Sequence, residues 1–184
     1  FVVQELQESA PELSTAHINL PGTYYGRITR PVVYFLLAKL ALNAEVYADN
    51  DWTDGVRPDG RELYFTVDGK RLNAWQTVEA YCDSITKFGY RLEEDYKTNF
   101  AVFNESSAEN IFIIPMNKNL YTNQMQYLSR SRDYNHAKAY GLSGENGSSA
   151  TIEALRTFGY GTAEVDPRFD ICYFAGIVYD LNGN

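Results

Sequence analysis

The strongest hydrophobic pattern in this chain runs from Gly26 to Tyr47, GRITRPVVYFLLAKLALNAEVY. Thr29 stands where a helix N-cap belongs, and Pro31 falls in the first turn, where a missing N–H costs nothing. Val32, Phe35, Leu36, Leu40 and Val46 recur at roughly helical spacing. Ala38, Ala41 and Ala44 form a small-residue ridge that lets a second helix approach closely. Apolar residues wrap most of the circumference, so the pattern predicts a central, well-buried helix. A second helix is predicted from Asn73 to Phe88. Asn73 and Gln76 make a capping box, Trp75, Val78, Cys82, Ile85 and Phe88 share a face, and Gly89 takes the C′ position.

The first of these stretches resembles the core helix of the SusD/RagB family, the surface glycan-binding lipoproteins of Bacteroidetes. Three further segments agree with that family in order: WQTVEAYCDSITKFGYRLEEDYKTNF (75–100), NESSAENIFIIP (104–115) and DPRFD (166–170). The resemblance spans nearly the whole chain. Family members are longer and carry a lipidated Cys after a signal peptide. The expectation is therefore a middle portion of a larger SusD-like protein, with its membrane anchor upstream.

The remaining pattern places lesser elements around the two helices. A first helical piece is expected over Val3 to Ala10, stopped by Pro11, and Glu12 to Tyr25 reads as loop with a turn at Pro21-Gly22. Residues 48–72 are broken by Gly55, Pro58, Gly60 and Gly69. Within them Glu62–Val67, Asp68-Gly69 and Lys70–Leu72 read as a β-hairpin. A tetratricopeptide repeat joins its helices by a tight turn, so this segment is an insertion. Tyr90 to Phe103 reads as extended, Ile111–Pro115 as a strand or buried extended segment, and Ser149–Phe158 as a short helix closed by Gly159. The tail from Asp166 reads as strand-like with turns. The predicted fold is mainly α: a tetratricopeptide-like helical hairpin core with long irregular loops and minor β. Residues 1–110 would form the repeat-like core of a single fragment, 1–184, with 111–184 a loop-rich portion carrying one short helix. One hairpin cannot bury its own core, so further helices are expected to pack on it.

Composition narrows the partners. Fifteen Tyr and ten Phe raise the aromatic fraction to 15%, and the net charge is −8. Neither nucleic acid nor an anionic membrane suits such a chain, which has no basic run. No apolar segment reaches the roughly 18 residues of a membrane-spanning helix. Cys82 and Cys172 form neither a zinc pattern nor a CxxC motif. Pairing between them is open in an oxidising compartment, while the apolar face assigned to Cys82 predicts a buried thiol.

Sugar recognition requires aromatic faces for pyranose C–H surfaces, with amides and guanidinium groups for hydroxyls. Residues 118–147 carry that mixture. The glycan-contact candidates there are Tyr121, Tyr127 and Tyr134, with Asn123, Gln124 and Arg132 as polar partners. Trp52, among Asp, Asn and Gly, is the further candidate. It has no apolar face to join, which leaves a carbohydrate platform or a cover folded over its own loop. Trp75, by its spacing, belongs to the core.

Catalytic chemistry has little material. Glu93-Glu94-Asp95 and Glu5/Glu8 are the carboxylate groupings near aromatics, but adjacent acids usually make a solvated face. His17 and His136, on separate segments, offer no basis for a His-centred metal site or a triad. Asp49, Asp51, Thr53 and Gly55 alternate like the start of a calcium loop, yet Gly60 stands where an EF-hand needs a bidentate Glu. A solvated acidic turn is expected, with no cofactor, and calcium as the minor alternative. The resemblance implies a non-catalytic protein that captures oligosaccharides at the cell surface and delivers them to a SusC-like TonB-dependent transporter. A transporter-associated scaffold with little glycan affinity of its own is the alternative.

Overall fold

The structure, a computed structural model, describes residues 1–116, 119, 133–141, 143–144, 146–173, 177, 179–180 and 182–183. The chain divides into two compact units, Phe1–Pro115 and Met116–Asn184. Among the described residues helices are the main regular structure, accompanied by one two-stranded antiparallel sheet. Among the described residues no helix is long and apolar enough to cross a membrane.

The first unit comprises helices α1 (Val2–Ser9), α2 (Arg30–Leu42), α3 (Ala44–Ala48) and α4 (Ala74–Lys87) and a hairpin of strands β1 (Tyr64–Val67) and β2 (Lys70–Asn73) that packs on α4. α2 and α4 make the most extensive contact between elements. The alanine ridge lies inside: Ala38, Ala41 and Ala44 are all buried, Ala41 completely. Ala38 joins a core with Ala10, Val33, Leu37, Val67 and Tyr81. The rings of Tyr34 and Tyr81 meet across the helices at 5.3 Å. Arg30 fastens the N-terminal segment to α2 by donating to the carbonyls of Ala10, Pro11 and Leu13. These carbonyls lie at and just beyond the short 3₁₀ extension of α1, Ala10–Glu12, and the Ala10 carbonyl accepts from Leu13 N–H as well.

Local chemistry sets several boundaries. The capping box is complete: the Asn73 side chain accepts from Gln76 N–H at 2.9 Å, and the Gln76 side chain accepts from Asn73 N–H at 3.1 Å. Asp68 and Gly69, both at positive φ (49° and 76°), form the hairpin turn and align Val67 with Lys70.

In the first unit four expectations are corrected. The pattern from Gly26 to Tyr47 is two helices, because Asn43 turns its amide back onto Lys39 O at 2.9 Å and leaves helical dihedrals. α2 is not buried all round. Val32, Val33, Leu37, Ala38 and Ala41 face inward, whereas Leu36 and Leu42 are exposed, as are Val46 and Tyr47 of α3. Thr29 takes the N-cap position as expected, while its buried hydroxyl accepts no hydrogen bond from the first turn. The inward face of α4 is Ala74, Thr77, Tyr81 and Ile85, rotated by one residue from the predicted Cys82 stripe, so Cys82 is an exposed free thiol. Cys172 is likewise free and exposed. Among the described residues Ile111–Pro115 pairs with no strand, and Phe112 and Ile114 are exposed.

In the second unit the described residues form three short helices rather than one: α5 (Tyr134–Ala139), α6 (Ile152–Thr157) and α7 (Phe169–Cys172). Thr151 caps α6 by accepting from Ala154 N–H at 3.2 Å. The segment after Asp166, expected to be strand-like, begins with α7 because its rings cluster locally. Phe169 is buried against Tyr160 (5.4 Å, near-parallel) and Tyr173 (5.5 Å). Asp166 binds Arg168 through side chain and backbone, and these hydrogen bonds draw its carboxyl down to about 2.

Asn73→Ala should lower unfolding stability by about 1 kcal/mol in denaturant titrations, and Asn73→Asp should retain most of it. Ala41→Leu should destabilise by about 1–3 kcal/mol by forcing α2 from α4. The depressed Asp166 carboxyl contributes stability above the ordinary carboxylate range, and that contribution is lost as pH falls towards about 2. An NMR titration should find this low midpoint in the parent chain and a return towards 3.8 in Arg168→Gln.

Candidate functional site

The loop between α3 and β1 carries the one predicted glycan-contact residue of the first unit, Trp52. Four aspartates organise its backbone. Asp49 accepts from Asp51 N–H at 3.0 Å, Asp51 from Thr53 N–H at 3.0 Å, Asp54 from Val56 N–H at 2.7 Å, and Asp59 from Arg61 N–H at 2.8 Å. Each is a side-chain turn two residues long, the local use to which short carboxylates are suited. The Thr53 hydroxyl also donates to Asp51, and these bonds lower the fully exposed Asp51 carboxyl.

Arg57 closes the loop. Its guanidinium donates to the Asp49 carboxylate at 3.1 Å and to the Trp52 carbonyl at 2.9 Å. Asp49 is the more enclosed partner of that ion pair, with its side chain 11% exposed against 57% for Arg57. The far end is anchored to the helices: Gly60 N–H donates to Glu45 at 2.8 Å, and Gly60 O accepts from Ala74 N–H at 3.0 Å. A side chain at Gly60 would overlap the Trp75 ring, so the indole of Trp75 packs beneath the loop's return. Trp52 does the opposite. It is 77% exposed, with its backbone held and its indole in solvent. The cover-over-its-own-loop alternative is thereby removed.

Chemically, the loop presents an aromatic face beside carboxylates that are already engaged. Asp49 serves Asp51 N–H and Arg57, and Asp51 serves Thr53. Among the described residues no three His, Cys, Asp or Glu side chains are grouped as metal ligands. The other acidic groupings have structural partners as well: Glu93 accepts from Ala108 N–H, Asp95 caps the 3₁₀ turn Tyr96–Phe100, and Glu8 accepts from Gln4 at 2.7 Å. His17 stacks on Tyr90 at 4.1 Å and bonds the Phe88 carbonyl at 2.7 Å.

Of the other predicted contacts, Tyr121, Asn123, Gln124, Tyr127 and Arg132 lie outside the described residues. Tyr134 opens α5 in the second unit and is exposed, and its N–H donates to the Asn146 side chain. Two features escaped the sequence. Arg57 ties together the Trp52 loop, and its only signal was a cation, one of two, within an acidic segment. A cleft of about 260 Å³ lies among α1, α2, the hairpin and α4, with Gln7, Tyr34, Asp68 and Tyr81 in its lining. Residues from four elements meet there, and no spacing along the chain announces them. In comparisons with known proteins, no family model, curated protein or solved structure matches this chain.

Proposed function

We propose that this chain is the middle portion of a SusD/RagB-type protein that binds oligosaccharides without breaking any bond. In this reading the parent protein is lipid-anchored at the outer membrane and faces the cell exterior. It passes captured glycans to a SusC-like TonB-dependent transporter. α2 and α4, joined through the loop and hairpin, serve as a tetratricopeptide-like scaffold with the connecting turn expanded into a binding loop.

The observation that supports binding is the exposed indole of Trp52 on a loop whose backbone is fixed by Arg57 and four aspartate turns. A pre-ordered loop loses little conformational entropy when a ligand arrives, so an aromatic stack there contributes more fully to affinity. Tyr134, exposed at the start of α5, is the second aromatic face in the proposal.

A transporter-associated scaffold with little glycan affinity is the second reading. It is favoured by Leu36, Leu42, Val46 and Tyr47, large apolar side chains of α2 and α3 that stand in solvent. A pull-down that retains the transporter while no glycan binds would select it.

Affinity for a panel of plant, host-mucin and α-glucan oligosaccharides, measured by calorimetry, tests the first reading. Trp52→Ala should weaken a bound glycan by up to about tenfold, and Trp52→Phe by much less, given stacking worth about 0.5–1.5 kcal/mol. Equal affinity in wild type and Trp52→Ala would remove the loop from the site.

A further inference from the structure

The cleft between α1, α2, the hairpin and α4 is built from acceptors and aromatic walls. Its base includes Leu37 and Tyr81, both buried, and the ring of Tyr34 leans on Tyr81 at 5.3 Å. Gln7 spends both of its amide hydrogens, one on Thr66 O at 2.7 Å and one on the Tyr81 hydroxyl at 2.9 Å. Among the described residues its carbonyl oxygen has no hydrogen-bond donor. Asp68 completes the lining from the hairpin turn. Among the described residues its carboxylate forms no ion pair. Burial pushes the Tyr81 hydroxyl up, the hydrogen bond from Gln7 opposes that shift, and the nearby Asp68 adds to it. The cation bonded to the Ala10–Pro11 wall is Arg30, whose guanidinium is occupied by the carbonyls of Ala10, Pro11 and Leu13.

We propose that this cleft binds an alkylammonium group, with Asp68 and the Gln7 carbonyl taking its N–H donors and Tyr34 and Tyr81 enclosing its methylenes. A carboxylate beside aromatic rings is complementary to a cation on an apolar stem. At about 260 Å³ the space suits one such stem, since pockets for drug-sized ligands begin near 300 Å³. The site stands apart from the Trp52 loop and does not depend on the glycan reading. The ammonium comes either from a free aliphatic amine or from a lysine side chain on a polypeptide.

NMR titration of the full chain with n-butylammonium tests the assignment, with 1-butanol as the uncharged isostere and acetyl-Gly-Lys-Gly-amide as the peptide probe. The ring signals of Tyr34 and Tyr81 should shift saturably with the amine and not with the alcohol. Asp68→Asn, which suits the positive φ of this turn, should keep the fold and weaken binding by about fivefold. Raising salt from about 0.02 M to about 0.5 M should weaken it in the parent chain and have little effect in the variant. Tighter binding of the peptide identifies a lysine side chain as the source, and tighter binding of the free amine identifies a small molecule. The proposal is overturned if neither cation shifts these rings, if the alcohol binds as well, or if folded Asp68→Asn binds unchanged.

Discussion

The close approach of α2 and α4 is the constraint on which the rest of the first unit depends. Ala38 and Ala41, both buried on the inward side of α2, add little bulk there, which permits such an approach. Val33, Leu37, Val67 and Tyr81 gather around this line, and each fully buried aliphatic side chain contributes about 1.5–3 kcal/mol. The hairpin docks on the same core through Val67 and Leu72, and α1 does so through Val3 and Leu6. Separating the two helices would therefore release the strand turn, the N-terminal helix and the loop between α3 and β1 together.

That dependence links fold to site. The Trp52 loop leaves α3 at Asp49 and returns at Gly60, which is bonded to Glu45 on α3 and to Ala74 at the start of α4. Its two ends are therefore fixed by the elements flanking the helix pair, and Arg57 fixes its middle. A rigid frame around an exposed indole is a different arrangement from a floppy loop that happens to contain Trp. In the first case the aromatic face is available without reordering.

Local rules were the legible part of this fold. The capping box at Asn73 and Gln76, the Asp68-Gly69 turn and the C′ glycine after α6 each depend on residues a few positions apart, and each was readable. What the sequence hid was set by distant partners. α4 has apolar residues on more than one side, so choosing between Tyr81 and Cys82 required knowing that Tyr34 and Gln7 wait opposite. Ile111–Pro115 has strand-like composition, but a strand also needs a neighbour to bond. The aromatic cluster around Phe169 converted the start of a strand-like tail into a helical turn. Trp52 was legible as an apolar residue with no apolar context, whereas Arg57's role emerged only with the loop's geometry.

The most direct measurement follows the two indole N–H signals during an oligosaccharide titration. Trp52 stands in solvent at 77% exposure, and Trp75 is half-buried beneath Gly60, so the pair carries its own control. The account predicts that a binding glycan moves the Trp52 signal saturably and leaves that of Trp75 in place. A glycan that binds while the Trp52 signal stays fixed, or a full panel that moves neither, would contradict it.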